Sequence, residues 1–432
     1  IKVAAGAETP AEEILTEWER IYNYPKELAH ISGYIGEVNV DEVGKVDPDC
    51  LGKGIRRLGA NTGRTGLELQ YDCLLRGSDG EQLLEVDTRG RKLRVLGSKP
   101  TQTGNDIKLN IDLPLQRRVA EAMGGKPGAV IVSDTEGEIL AIYSSPSYDP
   151  SNVSAYVSDS DLPLFNRAIG GVYHPGSIFK IVTSVAALEE GAIDENYTYI
   201  DTGAITVNEF TYTNWYFTQY GGKEGEIDLP RAIARSTDTL FYEIGARVGI
   251  DNLSKWAGRF GLGELTGIDL PGETVGLVPT PAWKRAVKGE RWFLGNTYHL
   301  SIGQGDLLTT PLSLNVLVSA IASRGDLCKP RINSSEPSHC TNLKISDETL
   351  REVIDGMKGA CVPDGTAFPF FDFKEKAGVE VACKTGTAET SEEDVTHAWF
   401  AAFAPIDDPQ IVVTVLIEEG GEGSRDAAPI AR

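Results

Sequence analysis

The feature that most constrains this chain is where its strand-forming residues stand. Two β-rich runs, GAVIVSD (128–134) and EILAIYSSP (138–146), lie near the start of the larger part of the chain. Three more, VEVACKTGT (379–387), HAWFAAFAP (397–405) and QIVVTVLIE (410–418), lie near its end. The first pair is joined by the turn residues TEG and reads as a hairpin. The last three are linked so briefly that antiparallel neighbours are expected. The long stretch between is mainly helical, as in SIFKIVTSVAALEE, LPRAIARSTDTLFYEIGARV and LSLNVLVSAIAS. The expected fold is therefore α/β (α+β), a central antiparallel sheet closed by distant segments and covered by helices.

Two further elements are expected upstream. IKLNID (107–112) alternates as a strand, and DLPLQRRVAEAM reads as a helix opened by an Asp cap and an early proline. Residues 1 to 104 are different: rich in glycine and charge, with only short apolar stretches such as ISGYIGEVNV and GLELQYDCLL. They read as an elongated small-core module, and the turn-rich tract VLGSKPTQTGND marks the boundary. Two domains follow, 1–104 and 105–432, which suits a chain of 432 residues.

A net charge of -22 argues against nucleic acid, since phosphate binding needs a basic face. The six cysteines are dispersed, without the spacing of a metal site, so neither metal nor cofactor is expected. Cys328 and Cys340 bracket a Pro- and Ser-rich loop and suit a local disulfide in an oxidising compartment; free buried thiols suit the others equally well. There is no signal peptide and no apolar run of about 18 residues. The ends, IKVAAGAETP and DAAPIAR, are abrupt, as expected if the chain is trimmed, so the lack of an anchor here does not speak for the full protein.

The strongest local chemistry lies in YHPGSIFKIVTSVAALEEG (173–191). Pro175 and Gly176 break the chain, and Ser177 opens a helix running to Gly191. Its apolar residues occupy nearly every azimuth, so it is buried on most sides. Lys180, in the first turn, is then out of place, because a buried ammonium must be paired or lose its proton. Spacing of three sets Ser177 beside Lys180, where a neutral amine can take the hydroxyl proton. The helix N-terminus adds backbone N–H groups near the reacting oxygen. A Ser-x-x-Lys tetrad also arises by chance roughly once in a chain this long.

Two other segments change the odds. RSTDTLFYEIG (235–245) carries Ser236 and Asp238 in an apolar helical stretch, and ACKTGTAE (382–389) sets Lys384, Thr385, Gly386 and Thr387 at a strand end. Alone, the first reads as a helix cap and the second as a strand end with a turn. Together and in this order they match the serine acyl-transfer set of Ser-x-x-Lys, a second serine motif and Lys-Thr-Gly.

At this point the sequence resembles the class B penicillin-binding proteins, and within them the elongation branch. The similarity covers nearly the whole chain, through NRAIGGVYHPGSIFKIVTSVAALEEG, RSTDTLFYEIGARVGID, GIDLPGE, LSIGQGDLLTTPL, ACKTGTAE and HAWFAAFAP in family order. HISGYIGEVN, GRTGLELQYDCLLRG and EVDTRGR resemble the family's non-catalytic, dimerisation-type pedestal.

The resemblance implies a DD-transpeptidase that cross-links peptidoglycan stem peptides and is trapped by β-lactams. Ser177 would be the nucleophile, Lys180 its base, Ser236 the proton relay to the leaving amine and Lys384 the stabiliser of that relay. Thr385, Gly386 and Thr387 would bind the substrate carboxylate, and the N–H groups of Ser177 and Thr387 would form the oxyanion hole. It also implies a membrane glycosyltransferase partner, the elongation machinery, and the extracytoplasmic face of the cell membrane, reached by an N-terminal anchor not present in this chain. The family's C-terminal helix is expected to start at DAAPIAR and be cut short.

Three positions depart from the family pattern. Asp238 stands where most relatives have Asn, which fits the elongation branch. His174 replaces a proline, neutrally. Cys383 replaces a small residue, and nothing near it in sequence would make its thiol a thiolate, so it is expected to pack. Of the histidines only His397 is near a motif, and a structural role is expected. The alternatives on the same fold are a β-lactam sensor, a β-lactamase or a DD-carboxypeptidase. A class A lactamase would need a glutamate to activate water, for which Glu290 is the only candidate. A non-catalytic scaffold is disfavoured by the intact Ser177, Lys180, Ser236 and Lys384.

Overall fold

The computed structural model describes residues 19–45, 50, 53 and 55–432. Its central sheet has five antiparallel strands: β1 (Gly128–Ser133), β2 (Ile139–Ser145), β3 (Ala382–Glu389), β4 (Thr396–Ala404) and β5 (Ile411–Ile417). Their order is β3-β4-β5-β1-β2, so β5 closes the sheet against β1, with Thr414 opposite Ile131. The expected closure by distant segments is what the chain does. All six residues of β1 are buried, as are Ala398–Phe403 of β4, which is why these runs are continuously apolar rather than alternating.

Helix α1 (Leu113–Met123) opens as its sequence foretells. Asp112 caps it by accepting from Leu115 N at 2.9 Å, and Gly124 ends it at φ 56°. Its buried Gln116 accepts from Ile142 N and donates to Ile142 O, both at 2.9 Å, which satisfies backbone groups on the outer edge of β2.

Helix α2 (Lys180–Glu189) is buried from Lys180 to Ala187. Phe179, Ile181, Val182 and Val185 pack among apolar residues of the sheet and of the helices around it. Helix α3 (Trp215–Tyr220) buries none of its residues. The stretch 229–248 folds as two helices, α4 (Leu229–Arg235) and α5 (Asp238–Val248), broken at Ser236, whose φ is +55°. Every residue of α6 (Pro311–Ala322) is buried, and its Asn315 is pinned to the sheet through Ser133 Oγ at 2.8 Å. Helix α7 (Asp347–Ala360) lies against α4.

Two expectations need correction. IKLNID forms no strand of a sheet; it makes an isolated bridge, Leu109 to Asn333, because its neighbour 331–334 is itself a loop. Cys328–Cys340 is bonded as its loop suggests, but the other cysteines are not free thiols: they pair as Cys50–Cys73 and Cys361–Cys383. These two pairs are set by tertiary contact, which spacing does not reveal.

The upstream part holds two antiparallel strand pairs, Ile35–Glu37 with Asn61–Gly63 and Glu81–Val86 with Lys92–Lys99, and the short helices Ala29–Ser32, Gly66–Gln70 and Asp72–Leu75. It rests on the larger unit through Tyr71 Oη donating to Asp269 Oδ2 (2.9 Å) and Tyr148 Oη donating to Ala29 O (3.1 Å). Among the described residues no helix is long and apolar enough to cross a membrane.

Candidate active site

Ser177 lies in a 3-10 turn, Gly176–Phe179, that runs directly into α2. In a 3-10 turn side chains three apart eclipse, so Ser177 and Lys180 share a face. Gly176 (φ +54°) is needed here: a Cβ on it would sit 2.6 Å from Thr387 O, because the turn is pressed against β3. Ser177 is partly exposed, whereas Lys180 and Lys384 are fully buried and Ser236 nearly so. The hydroxyl is thus the accessible end of a buried polar group.

Lys180 Nζ donates to Ser236 O at 2.8 Å, Ser236 Oγ at 3.0 Å and Asp238 Oδ1 at 2.6 Å. The break between α4 and α5 makes this possible. With Ser236 in the left-handed region and Asp238 two residues on, a carbonyl, a hydroxyl and a carboxylate converge on one ammonium. Trp215 N holds the other Asp238 oxygen at 3.0 Å, and Asn214 Oδ1 accepts from Asp238 N at 3.2 Å.

Lys384 Nζ donates to Ser236 Oγ at 2.9 Å and Thr385 O at 3.0 Å. Burial holds the Lys384 ammonium well below the ordinary lysine range, the nearby Lys180 charge adds to this, and Asp238 opposes it. Lys180 is also lowered by burial, against the pull of Asp238. This refines the sequence reading, which took burial alone to neutralise Lys180. The Asp238 carboxylate favours its charged form, and all three ammonium donors are taken by groups other than Ser177.

β3 is an edge strand, so its outer backbone is open. Thr387 O accepts from Gln304 Nε2 at 3.4 Å and faces the Gly176 turn. In an extended strand the N–H and C=O of one residue point to the same side, so the Thr387 N–H faces that turn too. A Cβ on Gly386 would lie 2.9 Å from Trp399 Cβ on β4 and 3.3 Å from Ile178 Cγ1 and Pro175 O of the turn, so a side chain there would be squeezed from both. Thr387 is exposed, but Thr385 is nearly buried and its hydroxyl is 2.8 Å from Thr366 Oγ1.

The structure therefore brings Lys180, Ser236, Asp238 and Lys384 into one bonded group, with Ser177, Gly386 and Thr387 at its mouth. Sequence reasoning missed Trp215, Asn214, Gln304 and Thr366. Only Gln304, within the glycine-flanked GQG of LSIGQGD, carried a visible signal. Glu290 pairs with Lys284 at 3.4 Å, outside the group. His397 accepts from Glu419 N at 3.1 Å and packs on Tyr173, and His174 contacts Leu307 O at 2.7 Å; both are structural. Cys383 is disulfide-bonded rather than free.

A family model described as the penicillin-binding protein transpeptidase domain matches residues 128–432. The chain belongs to this transpeptidase family. A second model, the penicillin-binding protein dimerisation domain, matches residues 4–109. The transpeptidase of this chain is 33% identical to the peptidoglycan D,D-transpeptidase MrdA of Haemophilus influenzae, over 99% of this chain and 70% of that protein. It is 29% identical to the peptidoglycan D,D-transpeptidase PbpA of Mycolicibacterium smegmatis, over 100% of this chain and 87% of that one.

Among solved structures, PBP2 of Helicobacter pylori in complex with MreC superposes with a TM-score of 0.82 at 31% identity, over 94% of this chain and 76% of that chain. Pseudomonas aeruginosa PBP2 in complex with WCK 5153 gives 0.80 at 30%, over 95% and 88%. A chain of a peptidoglycan synthase complex gives 0.81 at 31%, over 95% and 74%. These penicillin-binding proteins share both the catalytic fold and the smaller upstream module.

Proposed function

We propose that this protein is a peptidoglycan DD-transpeptidase with Ser177 as nucleophile. The observation that carries the reading is that Lys180 and Lys384 meet at Ser236 Oγ in a buried cluster, with the partly exposed Ser177 in the 3-10 turn that leads into Lys180. Ser177 Oγ attacks the penultimate D-Ala carbonyl of a stem peptide. The terminal D-Ala amine leaves with a proton, and an amine on a neighbouring stem then takes the acyl group from Ser177.

The proton path uses the two lysines unequally. Lys384 is the group whose ammonium burial disfavours most, so in this reading it is the one that starts without its extra proton, and its 2.9 Å contact with Ser236 Oγ is where it can gain one. Lys180 carries the charge against Asp238. Moving one proton from Lys180 through Ser236 to Lys384 leaves Lys180 as the base for Ser177. Lys180, charged again by the Ser177 proton, passes it through the Ser236 hydroxyl to the departing amine, and the proton on Lys384 then returns to Lys180 by the same route. The N–H groups of Ser177 and Thr387 stabilise the oxyanion, each such donor being worth about 10² to 10³ in rate. Thr387, with Gly386 allowing close approach, receives the substrate carboxylate; Thr385 orients that edge.

Residues 105–432 form the catalytic domain in this reading and 1–104 the pedestal. The activity places the protein on the extracytoplasmic face of the cell membrane, where three disulfides are compatible with the redox environment. Its partners are the elongation machinery and a glycosyltransferase that makes the strands it joins, a proposal supported by the relatives solved with MreC and in a synthase complex.

Intact-mass measurement after incubation with penicillin tests the assignment. One adduct is expected on the wild type and none on Ser177→Ala; an adduct that survives the substitution overturns it. Slow release of the adduct separates a transpeptidase from a β-lactamase, and rapid appearance of hydrolysed penicillin would favour the latter.

A further inference from the structure

The site has two walls: α4, which ends at Ser236, and β3, which carries Lys384 and Thr385. One short loop is bonded to both. It follows α7, which lies so close to α4 that a Cβ on Gly356 would sit 2.6 Å from Ile233 Cβ, and one on Gly359 would sit 2.9 Å from Ala234 Cβ. At the end of α7, Cys361 is disulfide-bonded to Cys383, the residue before Lys384, with Cα atoms 5.9 Å apart.

The same loop reaches back to α4. Arg231 Nη2 donates to Asp364 Oδ2 at 3.0 Å and Arg235 Nη1 to Asp364 O at 3.2 Å. Two residues on, Thr366 Oγ1 is 2.8 Å from Thr385 Oγ1. Ala367 N then returns to Ala360 O at 2.9 Å and closes the loop. β3 needs such a hold, because as an edge strand it has a hydrogen-bonded neighbour on one side only, β4.

We propose that residues 361–366 are a clasp that sets the distance between the two walls, and that Cys361, Cys383 and Thr366 are positioning residues for Lys384 and Thr385. The disulfide anchors the loop to β3 one residue from Lys384, while Asp364 anchors it to α4 close to Ser236. Without the clasp, the 2.9 Å contact between Lys384 Nζ and Ser236 Oγ depends on the β3–β4 ladder, the Gly176 turn pressed against β3, and the packing of α7. The inference rests on the roles given above to Ser236, Lys384 and Thr385. Misplacement of reacting groups by about 1 Å costs up to about 10² in rate.

The test is time-resolved acylation by penicillin, separated into the affinity of the initial complex and the rate of the covalent step. The double variant Cys361→Ala/Cys383→Ala is compared with Cys328→Ala/Cys340→Ala, which removes a disulfide between strands that contribute nothing to the site. The first is expected to slow the covalent step about tenfold or more while still reaching one adduct per chain, and the control to leave it unchanged. Thr366→Val, which deletes only the hydroxyl contact, is expected to slow the same step, with Thr366→Ser restoring it. This pair carries the test if the cysteine variant does not fold. Covalent rates within about twofold of wild type in folded variants would overturn the clasp alone. A wild type that takes up no penicillin would instead overturn the assignment of Ser177.

Discussion

Lys180 Nζ and Lys384 Nζ donate to the same oxygen, Ser236 Oγ, at 3.0 and 2.9 Å. Two fully buried lysines thus share one hydroxyl and have one carboxylate, Asp238, to balance them. Both cannot stay charged without leaving a net positive charge away from water.

In the proposed mechanism Ser236 is therefore the joint of the relay. Ser236→Ala removes the atom to which, among the described residues, both lysines hydrogen-bond, and leaves their backbone contacts in place. Loss of a positioned proton-transfer group typically costs about 10² to 10⁴ in rate. A fall of that size in the penicillin acylation rate, with the melting temperature shifted by only a few degrees, is the expected result.

Asp238→Asn should move the pH profile of acylation. The Asp238 charge is what opposes the burial-driven lowering of Lys180. Removing it lowers the Lys180 pKa further, so the neutral amine is populated at lower pH. The acid limb of the profile is expected to shift toward acid; an alkaline shift would contradict the pairing. The measurement is acylation rate from pH 5 to 10.

Lys384→Met should trade activity for stability. In the folded protein Lys384 holds its proton less readily than in the unfolded chain, so the unfolded state binds more protons below the ordinary lysine pKa. The wild type accordingly gains stability as pH rises toward that value, and the variant lacks this gain. The variant is expected to be inactive yet more stable near neutral pH, with about 2–4 °C in melting temperature for each kcal/mol recovered. The difference should shrink as the pH is raised.

The turn that carries Ser177 is braced from behind. Tyr173 Oη donates to Glu418 Oε1 at 2.6 Å and Arg167 Nε to Glu418 Oε2 at 2.9 Å, with Arg167 nearly buried. Glu418→Ala leaves that guanidinium without its carboxylate, a class of change that costs about 3–5 kcal/mol. Denaturant titration should show a loss of that order. Arg167→Met combined with Glu418→Ala should recover part of it.

Much of this molecule is legible along the chain, and the reasons are local. The β1–β2 hairpin, the Asp112 cap of α1 and the closure of the sheet by β5 follow from turn residues, capping chemistry and the placement of apolar runs. The nucleophile turn is legible because Pro175, Gly176, Ser177 and Lys180 fall within six residues. The break at Ser236 is legible only in part. RSTD offers a helix cap, but nothing in it announces a left-handed serine, which is held by Lys180 from α2 and Lys384 from β3. IKLNID misleads for another reason: its alternation is real, but its partner 331–334 is a loop, so it makes one bridge rather than a strand.

Sequence alone singled out Ser177, Lys180, Ser236, Asp238 and Lys384 as the candidate site and indicated that a sheet would close around a buried helix, since motif spacing and hydrophobic period are properties of neighbouring residues. Only the tertiary structure decided the protonation partners: that Lys180 faces Asp238, that Lys384 reaches the same serine, and that Cys361 ties to Cys383. These contacts join segments 22 to 148 residues apart, and their energies depend on burial and distance, which exist only once the chain has folded.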